Sequence, residues 1–261
     1  MATNGQRTGR IFIPRKGGWV GVISLLLPLA IWQAVAFWGN LPAWLLPSPE
    51  MVVNRFGDVL ADGTLLRNTA YTLLEVLLGL ALGGGLATAT GYALARSPLL
   101  ERMLSPYLVA SQAVPIVAIA PLLMIWFGSG LFSKVLICAL IVFFPVLVNT
   151  VVGLRAVPQN LRDMMTAMHA SHVQILRHLE IPAALPVLLG GLRIGATLSV
   201  IGAVVGEFVG SDRGLGYLVN VGRGRYDTAL VFVAIITLIA LALALYGSVV
   251  LIERRMLRWE K

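Results

Sequence analysis

Between Asp163 and Pro186 the chain reads "DMMTAMHASHVQILRHLEIPAALP", a stretch that carries all three of its histidines along with acids, an amide and an arginine. Strongly apolar runs lie on both sides of it. The whole 261-residue chain is 58% hydrophobic and 12% charged, with a mean hydropathy of +0.86, whereas soluble domains carry about a quarter charged residues. It reads as a polytopic membrane protein, and the polar stretch reads as a segment kept out of the bilayer.

A bilayer core takes about 20 apolar residues per helix. Six segments qualify, roughly 18–39, 69–95, 103–127, 132–153, 185–209 and 229–252. The expected fold is therefore an all-α membrane protein of about six transmembrane helices: a tail over 1–17, a transmembrane domain over 18–252 and a tail over 253–261. The opening "MATNGQRTGRIFIPRKGG" is basic, but the apolar run after it is long and has no small-residue cleavage site, so it reads as a retained helix and not a signal peptide. An even number of crossings puts both termini on one side.

Orientation follows from the basic residues, which collect in cytoplasmic loops. With the N-terminus inside, the inner side holds 13 of the 20 Lys and Arg; six (Arg55, Arg67, Lys134, Arg213, Arg223 and Arg225) fall outside, and Arg193 lies within the fifth span. The bias favours N-in and C-in, and Trp259 beside Arg258 fits an anchor at the inner surface. The net charge of +8 is thus a topological signal, and no nucleic-acid partner is implied. The single cysteine, Cys138, lies in an apolar run and reads as packing; neither a disulfide framework nor a thiolate metal site is available.

Several patterns describe packing. Gly79, Gly83, Ala87 and Gly91 fall four apart on one face of the second span, a spacing that lets helix backbones approach closely in lipid. No Lys-Ser or Lys-Thr follows these glycines and no Walker-type sequence occurs anywhere, so the chain is not expected to bind ATP itself. Outside, "PSPEMVVNRFGDVLADG" reads as a short surface helix capped by Ser48, with Pro49 in its first turn and an apolar stripe of Met51, Val52, Phe56, Val59 and Leu60.

In the polar stretch, Pro158 and Asn160 break the preceding span. Leu161, Met164, Met165 and Met168 then recur at i, i+3, i+4 and i+7, the spacing of one helix face. Methionine suits a surface that must repack against a partner. Ser171 and Gln174 form a capping-box pattern that opens a second helix carrying Val173, Leu176 and Leu179 and expected to stop at Pro182. The reading is helix, turn, helix. Histidines His169, His172 and His178 read as solvated polar positions, because no set at ligand spacing accompanies them on one face.

These residues resemble the "EAA" signature of ABC importer permeases: an acid with two small residues, a glycine four positions on, then an apolar residue and Leu-Pro. Asp163 stands for the acid, Leu179 for the apolar position and Ile181-Pro182 for Leu-Pro, while Met164 and Met165 replace the alanines and His169, before Ala170, replaces the glycine. Glycine serves such a turn because it accepts φ > 0, which histidine does at some cost. From about Leu46 onward, "PSPEMVV", "IAPLLMIWFG", "FFPVLVNTVVGLRAVP", "LEIPAALP" and "GEFVGSDRGLGYLV" are similar to permeases of the nitrate/sulfonate/taurine type, and closest in pattern to those for vitamin precursors, hydroxymethylpyrimidine or riboflavin.

The resemblance implies a type I ABC importer permease fold and a pore-forming subunit, not an enzyme. It implies a second permease copy, as a homodimer, and two cytoplasmic ABC ATPase subunits that hold the ATP and Mg; this chain itself carries no cofactor and no metal. An extracytoplasmic substrate-binding protein would deliver the cargo, with the chain in a bacterial inner membrane among its lipids. Residues 158–182 would be the coupling segment, with Leu161, Asp163, Met164, Met165, Met168, His169, Ala170, Leu179 and Pro182 facing the ATPase.

The path is read from the residues. Gln112, Pro115 and Pro121 interrupt the third span near mid-membrane, where freed backbone groups need a neighbour or a wet cavity. A pore wall and a packing contact both fit Gln112. Glu75, Arg193 and Glu207 are ionisable groups inside predicted spans; for Glu75 and Glu207, a bundle interior and snorkelling to the outer interface both remain open. "SDRGLGYL" after Glu207, with Gly214 and Gly216, resembles an outer re-entrant or gating turn. The competing class is a secondary carrier or channel driven by an ion gradient, which would favour internal repeats and midplane carboxylates. Neither is evident, nor is a zinc-protease helix or serine elbow of a membrane enzyme.

Overall fold

A computed structural model describes residues 18–39 and 41–257. The tail over 1–17 and the Arg258–Trp259 anchor lie outside the described residues. The elements in chain order are α1 (Gly18–Trp38), α2 (Pro49–Ala61), α3 (Thr64–Arg96), α4 (Pro98–Ala113), α5 (Ile116–Phe127), α6 (Leu131–Arg155), α7 (Gln159–Ala167), α8 (His172–Ile175), α9 (Ile181–Gly210), α10 (Leu215–Gly224) and α11 (Thr228–Met256). Below, the end of the bundle at Arg96, Arg155 and Met256 is called the inner end.

Among the described residues, four stretches are long and apolar enough to cross a membrane: α3, α6, His172–Gly210 and α11. The pair α4 and α5 makes a fifth if counted as one span, bent by 95°. The sixth expected span falls on α1, whose described apolar part, Leu26–Trp38, is shorter than a crossing.

Helix α6 is the centre of the bundle, flanked by α3 and α9. The small-residue stripe explains how closely they pack: a Cβ on Gly79 would lie 2.2 Å from Cys138 Cβ, and one on Gly83 would lie 2.4 Å from the Ala139 carbonyl oxygen. On the other side, a Cβ on Gly202 would meet Cys138 Cα at 2.8 Å. Cys138 is therefore a buried packing residue wedged between two glycines. At the opposite edge, Trp32 of α1 stacks on Phe232 of α11 and donates from Nε1 to the Pro47 carbonyl at 3.0 Å. Helix α2 forms as expected, its Ser48 hydroxyl accepting from the Met51 N–H at 3.3 Å. Of its stripe, Val52 and Val59 are buried against α10 and α11, while Met51, Phe56 and Leu60 stay exposed.

The interruption of the third predicted span is an elbow at Val114–Pro115. Proline lacks an N–H and pushes its predecessor out of the helical region, and Val114 is extended at φ −81 and ψ 118. Pro121 does not share in the break; it lies within α5.

One expectation is corrected and two are sharpened. The second helix of the polar stretch does not stop at Pro182: α8 passes through a π-turn, Leu176–Glu180, into α9. Pro182 falls in the first turn after it, where a missing N–H costs little. Lys134, counted on the outer side, lies at that end in the first turn of α6, with its side chain turned inward and 4% exposed. Snorkelling of Glu75 and Glu207 is excluded, since they are 1% and 0% exposed.

Candidate functional site

At the inner end, α7 buries none of its side chains. Leu161 is 37%, Met164 53% and Met168 73% exposed, with Met165 half-buried, so the predicted stripe is an open apolar face. Asp163 is also exposed and accepts from the Gln159 side-chain amide at 3.0 Å. The helix ends in a Schellman turn: the His169 N–H donates to the Thr166 carbonyl at 2.9 Å, and the Ala170 N–H donates to the Met165 carbonyl at 3.0 Å. His169 takes the left-handed conformation, φ +58, that the turn demands. The histidine thus keeps the turn geometry despite its side chain. Ser171 and Gln174 close the capping box, with Ser171 N–H to Gln174 Oε1 at 2.7 Å and Gln174 N–H to Ser171 Oγ at 3.3 Å. Met165, Met168, His169, Ala170, Gln174 and His178 line a groove of about 290 Å³. Leu179 and Pro182 are half-buried in the continuing helix and stand apart from this groove.

The sequence reading missed Glu180. It is 1% exposed, its Oε2 lying 2.9 Å from an Arg96 Nη2 and its Oε1 3.1 Å from Arg162 Nε. Arg162 Nη2 also donates to the Leu154 carbonyl at 2.7 Å. One carboxylate thus joins α3, α7 and the base of α9.

At the outer end, Glu207, Gly214 and Gly216 come together in one buried knot. Glu207 accepts from the Thr72 hydroxyl at 2.6 Å and from the Gly216 N–H. The Gly214 N–H donates to Asn68 Oδ1 at 2.7 Å, and the Leu215 N–H to the Thr72 hydroxyl at 2.8 Å. Gly214 has φ +106, and a Cβ there would lie 2.0 Å from Glu207 Oε1. Lys134 Nζ lies 3.2 Å from Glu75 Oε1 and donates to the Ser211 hydroxyl at 2.5 Å. Ionisable groups inside spans face the bundle interior with partners, and Arg193 follows the same rule by pairing with Glu253 of α11. Asn68, Thr72 and Glu75 recur at i, i+4 and i+7, a polar stripe of which the sequence analysis named only Glu75.

Gln112, Pro115 and the residues between them are exposed at the α4–α5 elbow, away from the knot. Gln112 borders a cavity of about 180 Å³ between α4 and α6, walled by Leu108, Phe144, Leu147 and Val148. Above the knot, a cavity of about 570 Å³ is lined by Arg55, Arg67, Arg213 and Arg225 against Asp62 and Asp212. Here the Thr64 N–H donates to Asp62 at 2.7 Å and holds its carboxyl below the usual range.

Among the described residues no group of three or more His, Cys, Asp or Glu is placed to hold a metal. What the bundle presents instead is an open helix face at one end, a locked turn at the other and a helix pair bent by 95°. Residues 77–258 match the binding-protein-dependent transport system inner membrane component family, and the chain belongs to that family. It is similar to the riboflavin transport system permease protein RibX of Chloroflexus aurantiacus, 48% identical over 91% of this chain and 89% of that one. The formylaminopyrimidine transport permease protein ThiX of Halalkalibacterium halodurans is 35% identical over 92% of this chain and 95% of its own length. Among solved structures, an inward-facing MetNI methionine ABC transporter chain shares the fold at a TM-score of 0.63 and 22% identity, over 74% of this chain and 96% of that one. The chain is a pore-forming permease subunit of an ABC importer.

Proposed function

We propose that the chain works as one of two identical permease copies, its α7 face seated on a cytoplasmic ATPase that carries the ATP and Mg, with cargo arriving from an extracytoplasmic binding protein. The observation that carries this reading is the open stripe of Leu161, Met164 and Met168 on a helix that buries nothing of its own. An apolar helix face of this kind is met by a groove in a partner. Residues 158–182 are then the coupling segment, with six crossings, both termini inside a bacterial inner membrane and α1 as the first span. ATP-driven closure of the ATPases displaces α7, and the bundle opens outward.

The elbow at Val114–Pro115 leaves backbone groups without helical partners at membrane depth, which suits a wet passage with Gln112 on its wall. The outer cavity, four arginines against two aspartates, is where the binding protein hands over its cargo. A flavin or pyrimidine is the first cargo class to test, on the likeness to RibX and ThiX. The coupling reading is tested by Met165→Asp with Met168→Asp: the expected result is a folded permease that no longer copurifies with its ATPase. Copurification at the unaltered level would reject it.

A further inference from the structure

Among the described residues, α7 has no fully buried side chain to anchor it in the bundle, so a displacement imposed on it has to travel largely through polar contacts. Its side-chain tie is Arg162, which reaches the Leu154 carbonyl at the end of α6 and the Glu180 carboxylate at the base of α9. Glu180 is 1% exposed and also holds Arg96 at the end of α3.

The backbone is arranged to bring this carboxylate inward. Ile175 and Glu180 are both buried, five residues apart. In a regular helix of 3.6 residues per turn they would point roughly 140° apart. The π-turn at Leu176–Glu180, in which the Ile181 N–H donates to the Leu176 carbonyl, widens the turn and brings both onto one face. Such turns are rare and recur at functional sites.

We propose that Glu180 is a positioning residue for transport: through Arg162 it takes up the displacement of α7, and through Arg96 and the π-turn it passes that displacement to α3 and α9. The inference rests on the reading of α7 as the ATPase-docking helix. A buried ionic pin suits this duty because breaking it leaves a charge without its partner, whereas apolar contact is non-directional and can slide. One carboxylate shared by two guanidiniums also keeps its charge compensated if either is lost.

That property supplies a clean variant. Arg162→Met cuts α7 from the pin but leaves Glu180 with Arg96, so no buried charge is stranded. In the assembled complex of permease, ATPase and binding protein, the expected result is unchanged melting, unchanged copurification of the ATPase and retained basal ATP hydrolysis. Stimulation of hydrolysis by the binding protein is lost, and Arg162→Lys restores part of it. Adding Arg162→Met to Glu180→Gln should do no further harm, since both cut the same link. Full stimulation in Arg162→Met would overturn the proposal, as would release of the ATPase, which would make Arg162 a docking contact. If instead the Met165→Asp, Met168→Asp variant keeps its ATPase, the docking reading itself fails, a result that is read separately from the pin.

Discussion

Replacing Gly214 with alanine tests whether the outer turn is locked by Glu207. Two costs add. The backbone at φ +106 and ψ 169 lies in a region that is essentially reserved for glycine, and holding another residue there costs about 1–3 kcal/mol. The new Cβ would also sit 2.0 Å from Glu207 Oε1, so the Glu207 carboxyl must leave the Thr72 hydroxyl or the Gly216 N–H, and a buried hydrogen-bonding group left without its partner costs about 1–3 kcal/mol. Together they give about 4 kcal/mol, or roughly 10 °C in melting temperature for a chain of this size. The assay is thermal unfolding of the purified permease for Gly214→Ala, Glu207→Ala and the double variant. With Glu207 removed only the backbone cost remains, so the double should be milder than the sum by about 1 kcal/mol or more. A Gly214→Ala protein that melts with wild type would refute the reasoning. So would strict additivity.

Three further outcomes follow from the same geometry. Lys134→Met strands the buried Glu75 and should cost about 3–5 kcal/mol, most of it recovered by adding Glu75→Gln; equal melting of single variant and wild type would count against the pair. His169→Gly relieves a left-handed histidine, worth about 1–2 kcal/mol less the ~0.5–1 kcal/mol that glycine costs in chain entropy, so hydrogen exchange at the Ala170 amide should slow, and faster exchange would contradict the turn assignment. Gln112→Leu should alter uptake while shifting stability by no more than about 0.6 kcal/mol, the size of an ordinary interhelical hydrogen bond in a membrane; a large loss of melting temperature with normal uptake would make Gln112 a packing residue.

Features set by local chemistry were legible in the sequence. Ser48 and Ser171 cap helices because their hydroxyls meet N–H groups three residues on, and Pro115 breaks a span because its ring acts on its neighbour. The stripe of α7 was legible for the same reason, since 3.6-residue periodicity is local. The burial of Lys134 was not legible because a lysine near a span end reads as an exposed charge until its distant partners, Glu75 and Ser211, are known. Glu180 stayed hidden because its burial depends on a π-turn, and a single inserted residue leaves no signature in a pattern of apolar positions. Pro182 misled in the same place: read as a stop, it is tolerated where that turn hands over to α9.

On the proposed function, transport through this chain is driven by ATP and fed by a binding protein. The most direct measurement is uptake into proteoliposomes that hold the permease with its ATPase, using cargo found by thermal-shift screening of the binding protein against riboflavin, pyrimidines, sulfonates and nitrate. Uptake is expected to need both ATP at the ATPase face and the binding protein at the other, and to be unchanged by ionophores. Uptake that proceeds without ATP and collapses when an ion gradient is dissipated would contradict it.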